Sequence, residues 1–130
     1  MTEVHPNVAV LSRFDPRNVA GSADAIAEDV VFHFFNPNLP DIQGDYVGLT
    51  ALQEFFGQMA EKTAGTFRVN PISVTAAVGD ELVVVQSKNT MILEDRKIET
   101  DVVVVWRIVD GRITEVWDIP SVHTARVSKA

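Results

Sequence analysis

Between Thr66 and Ile119 the chain is built almost wholly from β-forming residues, and this constrains its fold more than any other feature. The runs extend roughly over Thr66 to Val78, Leu82 to Leu93, Ile98 to Val109 and Ile113 to Ile119, broken by Gly79-Asp80, Glu94 to Lys97 and Asp110-Gly111. Strands joined by such short turns lie side by side and antiparallel, so the second half is predicted to be one long meander. Asp110-Gly111 is the sharpest of the turn signals. Both residues tolerate a positive φ that a β-branched residue resists, which makes VVVVWRIV and ITEVW a tight hairpin.

Alternation along the last strand then places Val116 and Asp118 on one face and Glu115 and Trp117 on the other. Asp118 is thereby directed toward aliphatic neighbours. Desolvation raises the proton affinity of a carboxyl and brings it into the range of general acid or base work near neutral pH, unless a cation opposes it. The competing structural role is a strand-end Asp that caps the turn at Ile119-Pro120-Ser121.

The segments LVVVQ and VVVVW are apolar without alternation, whereas a sheet with one wet face would alternate. Two coverings are therefore expected. The residues before Gly65 supply one. Val8, Leu11 and Phe14 are spaced for a helix face, Asp15-Pro16 and Gly21-Ser22 interrupt it, and ADAIAEDV follows, which reads as two or three short helical pieces. VVFHFF from Val30 is a strand ended by Asn36-Pro37, and a loop runs roughly from Asn36 to Gly48. Thr50 and Gln53 form a capping box for a helix whose apolar face is Leu52, Phe55, Phe56 and Met59. These elements are too few to cover both faces, so the second covering is expected to be another copy of the chain, a homodimer through the sheet face.

At 130 residues with 46% apolar content, the chain is expected to be a single domain over 1–130. A net charge of −7 repels nucleic-acid phosphates and anionic membrane surfaces. With no cysteine, and with His5, His33 and His123 far apart, neither a disulfide framework nor a metal site is expected, and no cofactor is implied. No apolar run approaches the ~20 residues of a membrane span and no cationic segment with an apolar core opens the chain, so the expectation is a cytoplasmic protein.

The order of helices, VVFHFF, loop, capped helix and meander, with GDYVG at Gly44 to Gly48 and the terminal DGRITEVWD, resembles the nuclear transport factor 2-like superfamily and specifically its SnoaL-like branch. The resemblance covers nearly the whole chain. It implies an α+β fold, a curled antiparallel sheet closed by N-terminal helices into a cone with an internal cavity, of the cystatin-like roll type. It also implies a small hydrophobic molecule as the partner. Activities in that group include polyketide cyclases, ketosteroid isomerases and limonene epoxide hydrolases, beside members that only bind or dimerise, so the fold alone selects none of them.

Carried over by position, Asp118 matches the last-strand aspartate that performs acid/base chemistry in the cyclases and epoxide hydrolases. The departures are as informative. Gln86 to Thr90 reads Gln-Ser-Lys-Asn-Thr where the epoxide hydrolases hold an Arg and a second Asp, so their triad is incomplete. The isomerase base and its protonated acid would fall near Phe32 to Phe35 and Val104, where this chain is aromatic and aliphatic. The cyclase histidine would fall at Val104 or Trp106.

The candidate catalytic set is therefore Asp118, His33 and Tyr46. His33 could share a proton with Asp118 or with a substrate carbonyl, although it points away if Phe32 and Phe34 face the cavity, unless the loop at Asn36-Pro37 reverses that parity. Tyr46 could donate to an oxyanion or seal the cavity mouth. Phe14, Phe34, Phe55, Met59, Asn89, Trp106 and Val116 are the candidate ligand wall. Lys88, Glu99 and Asp101 read as solvated. The expected function is acid/base catalysis of isomerase, cyclase or lyase type on a hydrophobic carbonyl compound. A non-catalytic binding or dimerisation module is the first alternative. Epoxide hydrolysis is the second, and would require Arg68 or Arg107 beside Asp118.

Overall fold

The computed structural model describes residues 5–123 and 125–129. In chain order it contains α1 (Pro6–Ser12), a 3-10 turn at Ala20–Ala25, β1 (Ile26–Phe34), a second 3-10 turn at Pro40–Ile42, β2 (Gly44–Val47), α2 (Leu49–Lys62), β3 (Arg68–Val78), β4 (Leu82–Leu93), β5 (Arg96–Val109), β6 (Arg112–Pro120) and β7 (Arg126–Lys129). The meander β3 to β6 is antiparallel throughout. Asp110 and Gly111 have φ of 52° and 76°, the pair of positive values that a two-residue hairpin turn requires.

The sheet order is β2-β1-β6-β5-β4-β3, with β1 lying parallel to β6 and β7 pairing with the start of β5. Register shifts in β3, in β5 against β6, and in β1 between Ile26 and Val31 bend the strands and curl the sheet, which stays open. The fold is the α+β, cystatin-like roll that was expected.

The first half departs from expectation in three places, each for a local reason. ADAIAEDV is not helical as a unit: the 3-10 turn ends at Ala25 and the strand begins at Ile26, because Ile26, Val30 and Phe32 all fill the core. The loop from Asn36 to Gly48 contains β2, which pairs with β1 and sets Tyr46 against Phe32. Thr50 does not cap the helix. Gly48 holds that position at φ 92°, a value that suits glycine at the sharp exit from β2, so Thr50 falls inside the first turn.

Helix α2 covers the inner face with Leu52, Phe55 and Met59. Phe55 is 1% exposed and its ring lies 4.7 Å from Phe34, 4.8 Å from Phe32 and 4.8 Å from Tyr46, in tilted contacts that join helix, β1 and β2. On the outer face Val103, Val105 and Trp117 are half-buried, while Phe35, Val47 and Ile119 are exposed. No helix among the described residues is long and apolar enough to cross a membrane. Replacing Phe55 by Ala is expected to cost about 3–5 kcal/mol in urea unfolding, and Val47→Ala less than about 1 kcal/mol. Equal losses would contradict this placement of the core.

Candidate active site

Strand β6 presents Asp118 on the inner face, between Phe34 of β1 and Val104 of β5 in register. The side chain borders a narrow cavity of about 20 Å³ whose apolar wall is Phe34, Met59, Phe67, Met91, Ile98 and Val102. Its polar members are Asn36, Asn89, Thr100 and Asp118. Among the described residues the Asp118 carboxyl has neither hydrogen bond nor ion pair. Burial pushes its pKa from 3.8 up to about 7. The residue keeps intermediate exposure, while the cavity it borders has room for little more than a water molecule.

Asn89 of β4 and Thr100 of β5 are directly paired and both buried. The hydroxyl of buried Ser87 donates to Asn89 Oδ1 at 2.9 Å, which orients the amide and leaves its Nδ2 hydrogens without a partner among the described residues. Thr100 Oγ1 is also buried and unpartnered. The cavity thus holds one titratable carboxyl poised near neutrality and two unused hydroxyl or amide groups. That combination can move a proton and stabilise developing negative charge on oxygen.

His33 and Tyr46 do not join Asp118. His33 pairs across the sheet with Trp117, so it stands on the outer face, and the loop at Asn36 does not reverse its parity. Its Nδ1 lies 2.7 Å from Asp45 and its Nε2 2.6 Å from Glu115, and its ring stacks on Trp117 at 5.6 Å. The bond to Glu115 is the main influence raising its pKa above 6.5. Burial opposes this, and Asp45 adds to it. Arg107 extends the same row, with Nη1 3.0 Å from Glu115 and Nε 3.4 Å from Glu81. Tyr46 donates its hydroxyl to the Ile42 carbonyl at 2.6 Å and packs on Phe55, which ties down the loop before β2, and burial raises its pKa.

Of the expected ligand wall, Phe34, Met59 and Asn89 line the cavity beside Asp118. Phe55 and Val116 are core, and Phe14 packs on Trp106 at 5.4 Å and on Phe56 at 5.8 Å, away from the carboxyl. Neither Arg68 nor Arg107 borders it. Thr100, Ser87 and Asn36 were not anticipated. The signal that finds Thr100 is the register of the β4–β5 hairpin, since an inward Asn89 makes its cross-strand partner inward as well.

Residues 8–116 match the SnoaL-like domain, and the chain belongs to that family. Solved structures share the fold. Bal32a, from a soil-derived mobile gene cassette, is 18% identical with a TM-score of 0.78, covering 92% of each chain. A nuclear transport factor 2-like protein of unknown function from Burkholderia pseudomallei is 21% identical with a TM-score of 0.78, covering 92% of this chain and 94% of its own. A protein from Jannaschia sp. CCS1 assigned to the SnoaL-like polyketide cyclases is 16% identical with a TM-score of 0.73, over 95% and 91%. Among curated proteins none matches.

The two titrating groups act on stability with opposite sign. Asp118 has a folded pKa above its unfolded value, so stability is fullest below about pH 4 and declines as pH rises through about 7. Asp118→Asn removes that decline and is expected to be more stable than the parent at pH 8, by up to a few kcal/mol, with little difference near pH 4. The His33 pairs contribute fully below pH 6.5 and are lost as pH rises through the raised pKa. His33→Gln is therefore expected to cost up to about 1 kcal/mol at pH 6 and almost nothing at pH 9. Thermal unfolding across pH checks both, and pH profiles parallel to the parent's would contradict them.

Proposed function

We propose that this chain is an acid/base enzyme acting on a small apolar carbonyl compound, of isomerase or cyclase type. Asp118 removes a proton from the carbon beside the carbonyl, the electron pair moves onto oxygen as an enolate, and protonated Asp118 returns the proton to carbon. Asn89 Nδ2, held by Ser87, donates to the oxygen as its charge grows, with Thr100 Oγ1 as a second donor. The observation that carries this reading is an unpartnered carboxyl and an oriented amide that border the same narrow, largely apolar cavity. The Jannaschia relative's assignment as a polyketide cyclase is in keeping with it. The proposal includes a homodimer in which the partly apolar outer face, with Phe35 and Ile119 exposed, is covered by a second copy.

A second reading is supported by the size of the cavity, about 20 Å³, which holds little more than water unless Met59 or Phe67 moves. On that reading the chain binds or assembles without catalysis.

Hydrogen exchange at the α-carbon of 2-tetralone in D2O, followed by NMR, separates the two. Catalysis predicts exchange that accelerates as pH rises through about 7. It also predicts a loss of about 100-fold or more in Asp118→Asn and a comparable loss in Asn89→Ala. Exchange no faster with the parent than with Asp118→Asn would leave the binding reading.

A further inference from the structure

A second, larger cavity lies on the other side of Met59 and Phe67. It is a groove of about 650 Å³ between the segment Pro16 to Val19, helix α2 and the start of β3. That volume suits a drug-sized molecule, whereas the inner cavity does not. Met59 and Phe67 line both spaces, so the groove and the cavity beside Asp118 are neighbours. Methionine is unbranched and adapts its shape more readily than a branched side chain.

The groove's chemistry is unlike that of the rest of the chain. The protein carries a net charge of −7, yet the groove is lined by two guanidinium groups, Arg17 and Arg68, and by no Asp or Glu. Among the described residues neither guanidinium is paired with a carboxylate. Arg68 donates through Nη1 to the carbonyls of Gly65 and Phe67, both at 2.8 Å, which fixes its head at the groove and leaves its other N–H groups unused among the described residues. The Asp15 carboxylate accepts the Arg17 backbone N–H and lies outside the lining. The remainder of the lining includes the apolar side chains of Val19, Phe56, Met59 and Phe67. Gly57 sits on α2 facing this space, and a Cβ placed there would meet nothing within 4 Å. A glycine inside a helix costs about 1 kcal/mol relative to Ala, and here it leaves the groove floor open.

We propose that this groove binds an apolar carboxylate, with the acid group held by Arg17 and Arg68 and the apolar body lying along Phe56 and Met59 toward the inner cavity. A planar guanidinium matches a carboxylate through two parallel hydrogen bonds, and a largely apolar floor selects an organic acid over a small inorganic anion. The inference extends the carbonyl-compound reading by giving the substrate an anionic end, and rests on that reading only for what happens beyond Met59.

The test uses two probes of nearly equal shape, 2-naphthoate and the neutral 2-naphthamide, titrated into the full chain and followed by amide NMR. The expected result is binding of naphthoate about tenfold or more tighter than naphthamide, with the largest shifts at Phe56, Gly57, Phe67 and Arg68. The double variant Arg17→Gln/Arg68→Gln should lose that preference while holding naphthamide within about twofold. Gly57→Leu, which fills the groove without burying a charge, should weaken both probes. Equal affinity for the two probes, no binding of either, or naphthoate affinity unchanged in the double variant would overturn the proposal. None of these variants alters Asp118 or Asn89. Failed tetralone exchange alongside intact naphthoate preference would therefore remove the catalytic reading alone, and the reverse pattern would remove the groove alone.

Discussion

The β5–β6 pairing assigns Asp118, Glu115 and Trp117 to their faces, and through β1 Phe34 and His33 as well. Asp110 and Gly111 close the hairpin with two positive φ values, which sets Val104 against Asp118 and Val105 against Trp117. A slip of one residue would exchange the two faces, placing Trp117 and Glu115 under α2 and Asp118 in solvent. Because β1 docks on β6 in parallel, the same register also puts Phe34 beside Asp118 and His33 beside Trp117. The turn therefore decides the chemistry of both faces.

On the two sides of this one sheet, ionisable groups are handled in opposite ways. The outer face spreads charge along a row, Asp45, His33, Glu115, Arg107 and Glu81, in which each member has a neighbour of opposite charge when His33 is protonated. Such pairs are individually weak and stabilise modestly. The inner face keeps a single carboxyl with no counter-charge, against Phe34 and Met59, which costs stability whenever it is ionised. An unpaired, desolvated acid of this kind marks a candidate site for proton transfer.

Much of this was legible in the sequence wherever a local rule governed. Period-two alternation set Asp118 on the face of Val116 and His33 opposite Phe32 and Phe34, although which way His33 points stayed open until β1 was seen to keep its parity, and Asp110-Gly111 announced its turn. Rules that depend on tertiary partners were not legible. Thr50 and Gln53 have the spacing of a capping box, but the exit from β2 needed a positive φ, so Gly48 took the cap. Glu28 and Asp29 look helical, yet Ile26 and Val30 were needed in the core and pulled the segment into β1. A turn over Glu94 to Lys97 would set Leu93 against Ile98. The chain turns tighter, at Glu94 with φ 57°, and pairs Leu93 with Arg96, which brings Thr100 opposite Asn89. Ser87 and Thr100 were invisible as site residues because in a β run they read only as strand formers.

The reading of the inner face rests on Asp118 being a desolvated, uncompensated carboxyl that borders a narrow cavity. Its titration by carboxyl-detected NMR, with Asp118→Asn to assign the signal, tests this directly. A midpoint near 7 is expected, with the signal moving when a small ketone enters the cavity. A midpoint at or below about 4 would mean that the carboxyl is hydrogen-bonded or solvated, and would contradict it.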